Sequence, residues 1–548
     1  MRFATVYVRI GVPLAATLIL LVNGASAQTS SIPAAPQLFE VKYARPQGAE
    51  IPVAAGGDLQ AAINRAQPGD RIVLQAGATF AGAFVLPRKT SSDQWIYIES
   101  SALGSMPAEG TRVAYAAAAQ MPKIVANGPN TPAIRAESNA SRYRFVGIEI
   151  HPQAGQFVTN LVQIGNGETS IDALPSWIVF DRCIIQGDPQ VGGRRGLAMN
   201  GRYVAVVDSI VANFKERGAD SQGVWASNTV GPIKVVNNLI EGAGENLLMG
   251  GSDPEIPNAT PSDIEIRGNQ FSKPLEWIAQ PWVVKNNLEL KNAQRVLISD
   301  NTMVNNWAGG QSGFAVLFTP RNDDGRAPWT KVTDVTFTGN RLINVAQGIN
   351  ILGTDDLKPS QRTERVVIRD NFLQISGLRA DGTAAGTTSS QARMFQILAA
   401  PAHVVIDHNT GVFVSGSSRA IAMVEGGQKA EGFQFTNNLV ERGDYGFIGS
   451  AVGEGMPALQ NFFASPVFRR NAVIGGSQRL YPQDNFFPVD RAEVGFVSES
   501  TGDFRLGAGS PFKNAGTDGS DLGARTPAAQ VGAAVRARPK SPPAVRVN

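Results

Sequence analysis

The chain has 548 residues, of which 43% are hydrophobic, 17% are charged and 58 are glycine, with a formal net charge of +3. That is ample for a large core, and the glycine content suits a turn-rich β protein better than a helical one. The near-neutral balance, with no zinc-ligand or helix-turn-helix pattern, argues against a nucleic-acid partner, and the single cysteine, Cys183, rules out an intramolecular disulfide.

At the N-terminus, Arg2 and Arg9 precede the apolar run "IGVPLAATLILLV", and Ala25-Ser26-Ala27 fits a small-residue cleavage site. Residues 1–27 therefore read as a signal peptide, leaving Gln28 as the mature N-terminus. Pro13 interrupts the run, which is short for a membrane span. No later stretch is long and apolar enough to cross a bilayer, so the protein is expected to be exported, to a periplasmic or extracellular location. Residues 28–50 form a leader rich in Ala, Pro and Ser.

In "DLQAAINRAQPGDRIVLQAG", Leu59, Ala62, Ile63 and Ala66 recur at helical spacing. Pro68-Gly69-Asp70 makes a turn, and Ile72 and Leu74 open a strand. From there the chain repeats the pattern apolar-x-apolar-x-x-Asn-x-apolar. It fits at Asn238, Asn269, Asn301, Asn340, Asn371 and Asn438, and more loosely at Asn409 and Asn471. Upstream, Ile148, Cys183 and Ser209 take the same slot. A repeat of about thirty residues built from period-two strands is a β-solenoid, because one coil cannot bury its apolar face until others stack on it. Asparagine suits a fixed corner: it tolerates left-handed backbone, and its amide can bond to the Asn of the next coil. Cys183 reads as inert filler in that column. Asn286, Asn287, Asn292, Asn305 and Asn306 lie off it and are open, with Asn306 expected at the surface.

Each coil carries a second strand before a variable loop. The longest loops start at Gly250, Thr319 and Gly353, and in-register stacking should gather them along one edge. "DFRLGAGSPFKNAGTDGSDLGA" is expected to close the stack over residues 481–524. The tail 525–548 is rich in Pro, Ala and Arg and is expected to be disordered.

The N-terminal helix-turn-strand, the Asn-marked coils and the closing segment resemble the right-handed parallel β-helix proteins of the pectate-lyase-like (pectin lyase fold) superfamily. The resemblance covers residues 50–524. It implies an all-β, single-stranded right-handed parallel β-helix with an N-terminal capping helix, one domain over 51–524, and a function in binding or processing a polysaccharide. It does not carry functional residues across. "GTDD" at 353–356 is similar to the paired aspartates of polygalacturonases, but their Gly-His-Gly and Arg-Ile-Lys elements are missing. The "WIDH" element of pectate lyases and the "DPHD" element of alginate epimerases are missing too.

The middle coils gather residues of unusual type. Trp277, Trp282, Trp307 and Trp329 lie close in sequence and are candidates for stacking on sugar rings. If Leu288 and Leu290 point inward, Glu289 and Lys291 point out. For β-elimination on a uronate polysaccharide, Lys285 or Lys291 is the candidate base, helped by Arg321 and Glu289. Asp253, Asp323 and Asp324, with Asp355 and Asp356 nearby, are candidate ligands for Ca²⁺. The alternatives are a glycoside hydrolase using paired carboxylates and a non-catalytic glycan-binding or adhesion surface. His403 and His408 flank the strand "VVID" and point to opposite faces, which disfavours a metal pair.

Overall fold

The computed structural model describes residues 31–379 and 391–525. The expected signal peptide and the basic tail beyond Arg525 lie outside the described residues. Within them the chain winds as a right-handed parallel β-helix, the hand that parallel crossovers adopt. One fourteen-stranded and two thirteen-stranded sheets run the length of the solenoid.

One coil shows the plan. Ala293–Ser299 lies in the first sheet, Thr302–Asn306 in the second and Phe314–Phe318 in the third. Each strand pairs in parallel with its counterparts in the coils before and after, as Val296 does with Ile264 and Val335. Apolar side chains from all three sheets fill one continuous core; Leu288, Leu290, Val296, Ile298, Met303, Val316 and Phe318 are all fully buried there.

The corner between the first and second sheets is the asparagine column. Asn238, Asn269, Asn301, Asn340, Asn371, Asn409, Asn438 and Asn471 are all buried and donate Nδ2–H to the Oδ1 of the next rung, at 2.9–3.1 Å. Asn485, not foreseen, is the terminal rung. The left-handed backbone falls one residue earlier than expected. Asn237, Gly268, Asp300, Gly339, Asp370, His408, Asn437 and Arg470 all have positive φ. That residue turns the chain, which leaves the ladder side chain free to point along the axis. Upstream, Ser209 Oγ accepts from the Cys183 N–H at 2.9 Å, so a hydroxyl replaces the amide there.

The capping helix spans Leu59–Arg65, capped by Asp58, which accepts from the Ala61 N–H. Leu59, Ala62 and Ile63 close the core at that end. The strand Glu50–Val53 precedes the helix and pairs with Arg71–Leu74.

Two segments clasp the outside. Residues of the leader run along the first sheet: the Ala34 N–H donates to Asp334 and the Gln37 N–H to Asp263, while Phe39 packs edge-on to Trp177 and Tyr203. At the other end the chain does not simply close the stack. It turns back along the second sheet, where Phe504 stacks on Phe372 at 4.9 Å and Arg525 pairs with Asp370.

Candidate functional site

The three long loops do gather on one edge, and polar bonds tie them together. Asp253 Oδ2 accepts the backbone N–H groups of Asp324 (3.1 Å) and Arg326 (2.8 Å). Arg321 bridges Asp355 (2.6 Å) and Asp356 (2.9 Å) of the following loop. The Trp329 indole N–H donates to the Ala259 carbonyl at 3.0 Å.

Beside this edge, on the outer face of the third sheet, lies a cleft of about 310 Å³. Its apolar lining is Phe314, Leu317, Leu352 and Leu398. Asn350, Gln311 and Ser312 add polar groups, and Glu289, Lys291, Arg321 and Asp356 supply charge. The alternation of "NLELK" builds this arrangement. With Leu288 and Leu290 in the core, Glu289 and Lys291 point the other way and line the cleft, Glu289 at only 1% exposed.

Glu289, Lys291 and Arg321, singled out from sequence, therefore share one cleft. Lys285 sits apart from its lining and is ion-paired to Asp220. Lys291 Nζ stands 3.6 Å from Glu289 Oε1. Burial works to lower its pKa, but the negative charge of nearby carboxylates, Glu289 foremost, outweighs it, and Lys291 is held above the usual lysine range. A lysine kept protonated in this way is a poor general base.

The tryptophans do not form the expected sugar platform. Trp277, Trp282 and Trp307 are 2%, 9% and 2% exposed and pack with Ala243 and Val284 beneath the loop 273–285. The Lys215 ammonium sits 5.4 Å and 4.8 Å from the Trp277 and Trp282 rings. Their faces are used to anchor that loop. Trp329 is half-buried at the opposite corner. The three aspartates named as candidate calcium ligands differ in setting. Asp253 is buried and spends one oxygen on backbone N–H groups, while Asp323 and Asp324 are exposed. Among the described residues no group of three or more His, Cys, Asp or Glu side chains is placed to hold a metal ion.

The off-column asparagines are structural. Asn287 donates to Asn246 Oδ1 (3.2 Å), Asn292 to the Ala259 carbonyl (3.2 Å) and Asn305 to the Lys273 carbonyl (3.1 Å). Asn306 is not at the surface. It is fully buried and donates to the Gly313 carbonyl at 3.0 Å.

Sequence reasoning missed a polar row at the start of the third-sheet strands. Arg195, Gln222, Glu245 and Asn286 stack in register. The signal was present: in four successive coils the residue just before, or opening, the aligned strand is polar. Glu245 is fully buried, and its carboxyl is held well above the usual range by desolvation and by the charge of Glu289.

No protein-family model matches the chain, and no curated protein matches it. Among solved structures, an alginate lyase from Paenibacillus aligns at 13% identity, over 69% of this chain and 94% of its own, with a TM-score of 0.27. A thermostable α-1,3-glucanase catalytic unit from Streptomyces thermodiastaticus aligns at 13% identity over 83% and 72%, with a TM-score of 0.48. A tailspike protein of an E. coli bacteriophage, in complex with a pentasaccharide, aligns at 11% identity over 80% and 64%, with a TM-score of 0.42. At such identities no residue of this chain is assigned a role from theirs.

Proposed function

We propose that the protein binds a glycan chain along the outer face of the third sheet and hydrolyses it with the carboxyl groups of Glu289 and Asp356. The observation that carries this reading is that both carboxyl groups line one cleft whose lysine is held as a cation. Leu398 is partly exposed and, with the edges of the more buried Leu317 and Leu352, gives the cleft an apolar side for the C–H face of a sugar ring, over a floor that includes Phe314. Asn350 and Gln311 offer amides to its hydroxyls.

Charge favours an uncharged sugar. Lys291 faces Glu289, and Arg321 is shared between Asp355 and Asp356. No cationic surplus is left for the carboxylates of a uronate chain. β-Elimination would need a neutral amine near the sugar carbon, whereas hydrolysis needs two carboxyl groups flanking the bond, one as acid and one as base or nucleophile. Export, as the N-terminal sequence implies, would place the protein with polysaccharides outside the cytoplasm.

The test is a panel of neutral and uronate polysaccharides incubated with the purified protein. New reducing ends and the absorbance of unsaturated uronate products are both followed. The reading expects reducing ends from a neutral glycan without unsaturated product, lost in Glu289→Gln and Asp356→Asn proteins that still bind. Unsaturated product would replace hydrolysis with elimination. Binding without any cleavage would make the cleft a recognition surface only.

A further inference from the structure

We infer that Glu245 is a neutral carboxylic acid in the folded protein and that its proton lies on the bond to Asn286. The inference rests on hydrogen-bond direction along one row of the third sheet.

Arg195 donates Nε–H to Gln222 Oε1 at 3.1 Å. Gln222 donates Nε2–H to Glu245 Oε2 at 2.8 Å. One coil further on, Asn286 is the register partner of Glu245 and donates its Nδ2–H onward to the Phe314 carbonyl at 2.7 Å. Every bond in the row runs the same way. Between Glu245 and Asn286 the direction breaks: Glu245 Oε1 and Asn286 Oδ1 are both buried, and neither accepts a hydrogen bond. Two unpaired acceptors on register partners are costly in a dry interior. A proton on Glu245 Oε1 turns them into one donor and one acceptor, and the row then runs unbroken from Arg195 to Phe314.

The charged neighbours do not supply the missing donor. Desolvation, Glu289 and Asp220 oppose ionisation of Glu245 and outweigh the Gln222 hydrogen bond and the Lys285 charge that favour it. Lys285 is paired with Asp220 and Lys291 with Glu289. Lys273, buried beneath the row, directs its ammonium at the carbonyls of Gly242, Ala243 and Gly244, at 2.7, 2.9 and 3.3 Å. Arg195 reaches Glu245 only through Gln222.

Glu245 is thereby a positioning residue for the cleft, a role that rests on the glycan-hydrolase reading. Neutral, it leaves Lys291 to Glu289. Ionised, it would place a second carboxylate beside Glu289 and compete for Lys291. The protonation itself does not depend on that reading.

The test compares wild type, Glu245→Gln and Asn286→Asp. Gln at 245 can accept from Gln222 with its oxygen and donate to Asn286 with its nitrogen, so it fixes the donor permanently. We expect the Glu245→Gln protein to melt at or above the wild-type temperature near neutral pH, with the gap widening as pH rises. The sign follows from the raised folded pKa: the wild-type contribution is complete below the unfolded glutamate pKa and is lost as pH rises through the folded one. Asn286→Asp, which puts two acids together, should lower the melting temperature. Infrared spectra at neutral pH should show a protonated-carboxyl band in wild type that is absent from Glu245→Gln. If that variant fails to fold, the wild-type band and its loss on raising pH remain decisive. No such band, or a Glu245→Gln protein less stable than wild type with an unchanged pH dependence, would overturn the inference; a buried water donating to both oxygens would give that result. A confirmed band with no glycan activity would leave the protonation standing and reject the hydrolase reading alone.

Discussion

Asn301 donates its side-chain N–H to Asn340 Oδ1 at 2.9 Å and its backbone N–H to the same oxygen at 3.0 Å. Its other amide hydrogen reaches back to the Ile266 carbonyl at 2.9 Å. Each rung thus stitches three coils, and in a fold with no disulfide this column fixes the register. Replacing Asn301 by Leu strips an acceptor from Asn269 and a donor from Ile266. It should destabilise the protein by about 1–3 kcal/mol. The exposed Asn64→Ala should cost less than about 0.5 kcal/mol. Thermal or denaturant melts of the two variants check this, and equal losses would count against the ladder.

Asp181 is fully buried and holds two guanidinium groups, Arg144 at 2.7 Å and Arg182 at 2.9 Å. Arg144 is itself only 1% exposed. Asp181→Ala leaves Arg182 without its ion-pair partner and Arg144 with only the longer contact to Glu109 at 3.4 Å, and a loss of about 3–5 kcal/mol is expected in a denaturant titration.

Cys183 fills a ladder slot with no exposure, and burial pushes its thiol pKa up to about 12. Alkylating reagents should leave it unmodified in the native protein at neutral pH and label it once denaturant unfolds the coils. Mass spectrometry reads the difference. Rapid native labelling would show that this part of the solenoid opens.

Phe39 lies against Trp177 and Tyr203, with ring centroids 5.9 Å and 5.6 Å away. It pins the leader to the first sheet. Phe39→Ala should cost about 3 kcal/mol and make the chain N-terminal to Glu50 more sensitive to protease. Unchanged cleavage would mean the segment is held by its backbone bonds to Asp263 and Asp334 instead.

Much of the fold was legible because its determinants are periodic. The Asn column, the alternation of "NLELK" and the helix at Leu59–Arg65 each follow from spacing alone. Asn485 escaped because it stands fourteen residues after Asn471, too close for a full coil. The site was legible only in part. Glu289, Lys291 and Arg321 could be brought together from strand phase and loop position. The tryptophans could not be placed, since a ring that anchors a loop and a ring that stacks on a sugar have the same sequence signature. Glu245 was missed because its row breaks strand alternation, so its burial depends on three-dimensional stacking and not on its own neighbours in sequence.

On the proposed function, glycan occupies the cleft between the loop 307–313 and the edge at Arg321 and Asp356. Hydrogen exchange followed by mass spectrometry, with and without an oligosaccharide that the protein binds, tests it most directly. Protection is expected in residues 286–291, 311–321 and 350–356, with little change along the outer faces of the first and second sheets. Protection confined to either of those other faces, with the cleft segments exchanging as before, would contradict it.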